Sequence, residues 1–292
     1  MNYSLIQSSI TDDERILVNH CRELYERAGK MIPSFSRFLS PREQYILSSF
    51  GLIPTLSRDK LTDGDAIGFL WGGFIGSERA VYCALPSYFG YSLGDSQDGF
   101  CIESELASAA SDELSGIFTV LRIDSGGFAK LSHRDYLGSI TALGIDRAKL
   151  GDIITDDTGA YLVASEAAAD LILTELKTVG RDGVRIKKTE FPKDFIYKRT
   201  FAEENGTIAS ARLDAVVSEF AHVSRERAKE LINRGLVEHN YFAASDADAV
   251  ISENDIVTIK RDSGVRYGKF IIDSLSMSRR SGRLVIKARK YQ

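Results

Sequence analysis

Apolar and polar positions divide the chain into stretches of different period. Up to about residue 75 the apolar residues fall at helical spacing. Ile16, Leu17, Cys21, Leu24, Tyr25 and Ala28 follow Thr11 and Glu14, a pair that satisfies free N–H groups reciprocally at a helix start. Ser40, Pro41 and Glu43 repeat that signal, with Pro at the first helical position, and Gly51 can close the helix. These features predict a helical N-terminal region over residues 1–75.

From about Ala80 strand and helix periods alternate. AVYCALP and IFTVLRI (Ile117 to Ile123) have the β-branched and aromatic content of buried strands. LSHRDYLGSITALGI follows as a helix, with Ser132 and Asp135 at its start and Gly144 as its stop. A hairpin around Asp156 to Gly159 leads through AYLVAS to a helix, Glu166 to Lys177, and then to a strand in VRIKK. Residues 76–188 therefore predict a small ferredoxin-like α/β sandwich. TEFPKDFIYKRTFAEENGTI, residues 189–208, mixes Pro, Gly and charge with weak periodicity and reads as a linker. Beyond it Leu213, Val216, Val217 and Phe220 form one apolar helical stripe. Ser224 starts a second helix, buried through Ala228, Leu231 and Ile232 and ended by Gly235. LVEHNYF, DIVTIKR, YGKFIIDSLSM and RLVIKARK read as short strands, with turns at Gly264 and Ser281-Gly282.

Composition narrows the possibilities. With 292 residues and 43% apolar content, the chain can form two or three units with separate cores. No run of about 18 uncharged apolar residues appears, and MNYSLIQSSITDDERI lacks the basic start and apolar core of a secretory signal, so a cytoplasmic protein without membrane contact is expected. Cys21, Cys83 and Cys101 are far apart, and His20, His133, His222 and His239 do not cluster with carboxylates or thiols; no metal site or cofactor is expected.

Net charge is -4, but it is unevenly distributed: residues 1–180 carry 15 Lys+Arg against 25 Asp+Glu, residues 181–292 carry 22 against 16. A polyanion senses the local patch within roughly 10 Å rather than the average. Within VSRERAKELINRGLVEHN, Arg225 and Lys229 lie one turn apart on the exposed side of the second helix, and Arg212 precedes the first. On charge alone two readings stand: a solvated face, since Glu226 and Glu230 lie beside these cations, or a surface for phosphate, which suits the planar fork of arginine.

The order of residues adds a resemblance. A-R-L-D-x-x-V (Ala211 to Val217), S-R-E-R-A-K-E-L-I-N-R-G-L-V (Ser224 to Val237), Asn240, N-D-I-V (Asn254 to Val257) and Y-G-K-F (Tyr267 to Phe270) are together similar to the S4 RNA-binding domain. Three positions depart from its usual pattern: His239-Asn240-Tyr241 stands for Val-Asn-Gly, Asn254-Asp255 for Gly-Asp, and Gly268-Lys269-Phe270 for Gly-Arg-Phe. Upstream, FLWGGFIGSERA, LSHRDYLGSITALGIDRAKLGDII and LKTVGRDGV resemble the YlmH family of bacterial S4 proteins, and the resemblance covers essentially the whole chain. It implies an α+β, multi-domain fold: a helical start, a central RNA-recognition-like α/β domain and a C-terminal S4 module, two helices on a bent sheet, over residues 209–292. It also implies rRNA and tRNA as partners on the large ribosomal subunit, in quality control of stalled nascent chains, without bond chemistry; links to cell division have been suggested for the family. The residues it marks for RNA contact are Arg212, Arg225 and Lys229. Ser224, Arg227, Arg234, Asn240, Lys269 and the basic hairpin Arg279, Arg280 and Arg283 complete the candidate set.

Enzymatic readings fare less well. R-L-D, Arg212 to Asp214, occurs in pseudouridine synthases, but only about 22 residues follow Phe270, too few for their catalytic domain, and Asp214 reads as a helix-start residue. An RNA-modifying enzyme anchored by an S4 module and a division-linked interaction factor are the alternatives. Met277 to Ser281 has the flavour of the K-M-S-K-S loop of tyrosyl-tRNA synthetases but lies on the wrong side of the module. His133-Arg134-Asp135 matches the kinase triplet, yet Ile140 stands where Asn is required. Gly72-Gly73-Phe74-Ile75-Gly76 has neither dinucleotide nor P-loop spacing and suits a tight turn. The stacking-aromatic string of RNA-recognition domains is missing, so RNA contact, protein contact and a structural role all stand for the central sheet.

Overall fold

The computed structural model describes residues 3–54, 56, 66–91, 93, 101–127, 130–191, 195, 197, 199–278 and 282–291. The chain is mixed α/β and forms two compact units, residues 2–197 and residues 198–292.

The first unit begins with α1 (Tyr3–Ser9) and α2 (Asp12–Gly29). At the start of α2 the Thr11 N–H donates to Glu14 Oε2 at 2.9 Å and the Glu14 N–H to Thr11 Oγ1 at 3.2 Å, the reciprocal cap that the sequence predicts. Leu17, Val18, Cys21, Leu24 and Ala28 face the core, whereas Ile16 lies exposed. The region is not helical throughout. β1 (Ser34–Leu39) precedes α3 (Pro41–Ser49), and β2 (Ala66–Trp71) follows it. Both strands pair antiparallel with β3 (Ala80–Pro86), in the order β1-β3-β2. The expected boundary at residue 75 thus falls inside one sheet, because AVYCALP is its buried central strand and not the first strand of the next domain. SFSRFL was hidden by its polar half: Ser34 and Ser36 are buried, and Ser36 Oγ accepts from the Tyr82 N–H at 2.9 Å. The turn after β2 relies on Gly72, where a Cβ would lie 2.3 Å from the Arg79 carbonyl oxygen, and on Gly73, with φ of 95°.

After α4 (Tyr88–Tyr91), α5 (Ile102–Ala109) and α6 (Ser111–Leu114) come β4 (Thr119–Ser125), α7 (His133–Thr141), β5 (Leu150–Thr155), β6 (Gly159–Ala164), α8 (Glu166–Glu175), β7 (Thr178–Val179) and β8 (Asp182–Thr189). The strands form one antiparallel sheet in the order β5-β6-β4-β8-β7. Apart from the short β7 this is a β-α-β-β-α-β arrangement with β4 and β6 at its centre, the topology that the sequence predicts. Leu121, Ile123, Leu162 and Ala164 on one face pack with Tyr136 and Ile140 of α7 and with Ala169 and Ile172 of α8. The other face is also covered near β5 and β6: Ile154 and Val163 share a core with Phe38, Phe69 and Phe74.

The second unit opens with β9 (Phe201–Ile208), which corrects the expected linker over residues 189–208. Its inward residues are Ala202, Glu204, Gly206 and Ile208, and only the last is a buried apolar side chain, so no period of two shows in the sequence. The strand is held by pairing along its whole length with β14 (Leu284–Tyr291). α9 (Leu213–Ala221) and α10 (Arg225–Asn233) follow, then β10 (Val237–His239), β11 (Phe242–Ala243), β12 (Ile256–Ile259) and β13 (Gly268–Met277). The sheet order is β11-β10-β12-β13-β14-β9. The two helices lie on one face of this sheet: Val216, Val217, Phe220, Leu231 and Ile232 pack on Phe270, Ile272, Ile286 and Ala288, with the Phe220 and Phe270 rings stacked at 4.7 Å.

Candidate nucleic-acid interface

The first turns of α9 and α10 meet at one carboxylate. Arg212 occupies the N-cap position of α9 and Asp214 its first turn, where the helix dipole favours an anion. His222, in the left-handed conformation with φ of 54°, turns the chain into α10, whose first residue is Arg225. Burial of Ala228, Leu231 and Ile232 turns Arg225 and Lys229, one turn apart, away from the core. Asp214 has no exposed surface, and its two oxygens receive the cations. Arg225 Nη2 donates to both at 2.7 and 2.8 Å, Arg212 donates through Nε at 3.2 Å and Nη2 at 3.0 Å, and Lys229 Nζ lies 3.8 Å away. Arg212 also pairs with Asp248. Backbone bonds from Leu213 to Ala249 and from Asp214 to Ala247 tie the loop before β12 to this helix start.

Burial alone would raise the Asp214 carboxyl, but hydrogen bonds from Arg212 and Arg225 outweigh it and hold the group below the usual aspartate range. The Asp214 hydrogen bond in turn raises Arg212. Three cations thus share two carboxylates, leaving a positive excess, and the side chains of Arg212, Arg225 and Lys229 remain 34%, 45% and 50% exposed. A buried anion here gathers arginines while leaving their outer faces available to a further anion.

Arg227 and Arg234 point to another side of α10. Both pair with Asp262, at 2.7 and 2.8 Å, and with Glu230, at 2.5 and 3.6 Å. Two cations meet two acids, and this cluster is balanced. The Ser224 hydroxyl accepts the Arg227 N–H at 3.2 Å, so it caps the helix. Asn240 corrects its expected place among surface contacts: it is buried, its Nδ2 donates to Asp255 at 2.6 Å, and its Oδ1 accepts the Ile256 N–H at 2.8 Å. Asn240 and Tyr241, both at positive φ, form the two-residue loop between His239 and Phe242, so tyrosine occupies a position that favours glycine. Lys269 lies on the sheet, away from both clusters, 4.9 Å from the Tyr241 ring and 4.5 Å from the Tyr291 ring. Arg283 is exposed at the end of the β13–β14 hairpin, and Arg279 and Arg280 lie outside the described residues.

In the central sheet, Arg122 is buried and held by Asp124 at 2.7 Å, Asp156 at 2.5 Å and the face of Tyr161 at 4.7 Å. Tyr161 packs in turn on Phe191 at 5.4 Å and Phe195 at 6.1 Å. The aromatic side chain of β6 that could stack on a base is therefore engaged within the unit. Arg185 and Lys187 of β8 lie on the same sheet face as Arg122 and are exposed. His133 to Asp135 form the first turn of α7, with the Asp135 carboxylate accepting from the Ser132 N–H at 2.8 Å and its hydroxyl at 2.6 Å. Among the described residues no group of three or more His, Cys, Asp or Glu side chains could hold a metal ion, and no helix is long and apolar enough to cross a membrane.

Sequence reasoning treated Asp214 as a helix-start residue and missed it as the hub. The available signal was the R-L-D order, which puts a carboxylate within reach of both its own cap residue and the next helix start. Asp262 and the Asn240–Asp255 pair were missed as well, since each partner lies 15 or more residues away.

Fold and site define a two-unit α/β protein with a β-α-β-β-α-β domain and, in its second unit, a helix-borne cation cluster. Residues 119–193 match the family model described as "Putative RNA-binding domain in YlmH". Over that segment the chain is similar to the YlmH family. It is 27% identical over 252 residues to the "Ribosome-associated protein quality control protein P2" of Bacillus subtilis (strain 168), covering 85% of this chain and 86% of that one. A solved structure, "Cell division protein ylmH from Streptococcus pneumoniae", is similar with a TM-score of 0.42 at 19% identity, over 64% of this chain and 97% of that one.

Proposed function

We propose that this protein is a non-enzymatic, cytoplasmic RNA-binding factor that holds structured RNA through the S4-type second unit, with large-subunit rRNA and tRNA as its targets in quality control of stalled nascent chains. The observation that carries this reading is the excess of cations around Asp214. Grouping Arg212, Arg225 and Lys229 costs repulsion that Asp214 and Asp248 offset only in part, and phosphate would complete the balance while releasing its condensed counterions. Support comes also from the RNA-binding family model over residues 119–193 and from the ribosome-associated relative. Arg212, Arg225 and Lys229 are the contacts proposed first; Arg283 and the Arg279-Arg280 pair extend them, and Arg185 and Lys187 offer a contact from the central domain. The buried, three-fold paired Asp214 is withdrawn from any role as a nucleophile, which favours binding over chemistry at this site.

Co-sedimentation of the full chain with separated ribosomal subunits tests the reading. Binding to the large subunit that is weakened in Arg225→Ala supports it. No recovery with either subunit, together with no affinity for tRNA at low salt, overturns it.

A further inference from the structure

The face of the second sheet opposite its two helices carries a feature that the cation cluster does not explain. Residues that alternate with the buried Phe270, Ile272, Ile286 and Ala288 point outward, and among them are Lys269 and Asp273 of β13 and Lys287, Arg289 and Tyr291 of β14. They form a continuous ladder with the neighbouring strand and turn. The Lys269 ammonium lies between the rings of Tyr241 and Tyr291, at 4.9 and 4.5 Å; Tyr291 meets Phe201 edge-on at 5.0 Å; and the Arg289 guanidinium lies over Phe201 at 5.1 Å while its Nε donates to Asp273 at 2.8 Å.

Three observations bear on what this face takes. The rings of Tyr241, Phe201 and Tyr291 are partly exposed and are tied down by neighbouring cations, so they are ordered before any ligand arrives. The outward cations Lys269, Lys287 and Arg289 exceed by one the outward acids of the three strands, Asp273 of β13 and Glu203 of β9, which stands opposite Arg289. Aromatic faces alternate with cations across adjacent strands, whereas a groove for a protein helix would present an apolar stripe. Rings to stack on and cations to follow a backbone are the two elements that hold single-stranded nucleic acid without regard to sequence.

We infer that the outer face of the β9–β14–β13 sheet binds unpaired RNA, with bases on Tyr241 and Tyr291 and phosphates on Lys269, Lys287 and Arg289. This surface is separate from the Asp214 cluster and does not depend on it. A chain with both would hold a structured RNA by its phosphates and an adjoining unpaired segment by its bases.

The test uses the full-length protein and a fluorescent octauridylate, an RNA with no helix to offer. Tyr291→Ala should weaken its binding about tenfold or more, Lys269→Gln should lower both affinity and salt dependence, and Tyr291→Phe, which keeps the ring, should bind as the parent does. Ultraviolet cross-linking of 4-thiouridine-substituted octauridylate to the unaltered protein should label Tyr241 or Tyr291, a readout that requires no variant to fold. Arg225→Ala should leave octauridylate binding in place, so the two surfaces can fail separately. Cross-links confined to residues 212–234, undiminished binding by both Tyr291→Ala and Lys269→Gln, or no binding at low salt would overturn the inference; the last outcome would favour a protein partner for this face.

Discussion

Replacing Asp214 with asparagine removes one charge from the centre of the second unit while nearly preserving shape. The buried carboxylate accepts four hydrogen bonds from Arg212 and Arg225 and holds Lys229 at 3.8 Å. Removing one partner of a buried ion pair typically costs about 3–5 kcal/mol, because the other charge is left stranded. Here the stranded groups are cations that keep between a third and a half of their surface in water, so solvent recovers part of the loss. The expected cost is therefore about 2–3 kcal/mol, or roughly 10–20 °C in the melting temperature of a unit of this size. Hydrogen exchange of the α9 and α10 amides through a urea series reads the effect in the second unit directly. Protection should fall in both helices together, since Asp214 joins their first turns. If Asp214→Asn leaves protection of α9 and α10 unchanged, the carboxylate is not the hub that positions these arginines.

Other consequences follow from the same contacts. The folded-state pKa values of Asp214, Asp255 and Asp262 all lie below the usual aspartate range: burial opposes ionisation of Asp214 and Asp255, but hydrogen bonds from Arg212 and Arg225 and from His239 and Asn240 prevail, while Arg234 leads at Asp262. Groups of this kind stabilise the fold above the unfolded aspartate value of about 3.9, and that stability is lost as pH falls through the lower folded values. Melting of the second unit should accordingly be flat near neutrality and drop below about pH 4, with a shallower drop in Asp214→Asn; a melting temperature insensitive to pH between 5 and 3 would contradict this. Asn240→Ala should destabilise by about 2 kcal/mol in urea unfolding, because it strands the Ile256 N–H and an Asp255 oxygen, and should leave RNA affinity of the folded protein unchanged. Arg227→Ala and Arg234→Ala should hardly alter the salt dependence of RNA binding, since Asp262 and Glu230 already neutralise these cations.

What could be read in advance was whatever repeats locally. The caps at Thr11, Ser132 and Ser224 and the apolar stripe through Leu213, Val216, Val217 and Phe220 depend on neighbours within two turns, and each marks a helix in the structure. The alternation after β4 led to the β-α-β-β-α-β order for the same reason. Strands supported only by distant partners escaped. SFSRFL hides its inward side behind two buried serines, of which Ser36 bonds to β3, and FAEENGTI contributes a single buried apolar residue to a strand held by β14. The site divided in the same way. Spacing along α10 placed Arg225 and Lys229 on one face, but it could not distinguish them from Arg227 and Arg234; the deciding partners, Asp214 and Asp262, lie 11 and 28 or more residues away. Asn240 shows the converse error, since a polar residue in a turn was read as a surface contact when its amide serves the backbone beneath it.

The central claim is that Arg212, Arg225 and Lys229 face phosphate. Its most direct measurement is the slope of log K against log salt for binding of the full chain to tRNA and to large ribosomal subunits, for the parent protein and for Arg225→Ala. The three contacts of this cluster alone predict a parent slope at least as steep as roughly -2 to -3, and the loss of one cation should make it shallower by about 1 while weakening binding at every salt concentration. A parent slope near zero, or a slope and affinity unchanged in Arg225→Ala, would show that the helix carries a solvated charge run and nothing more.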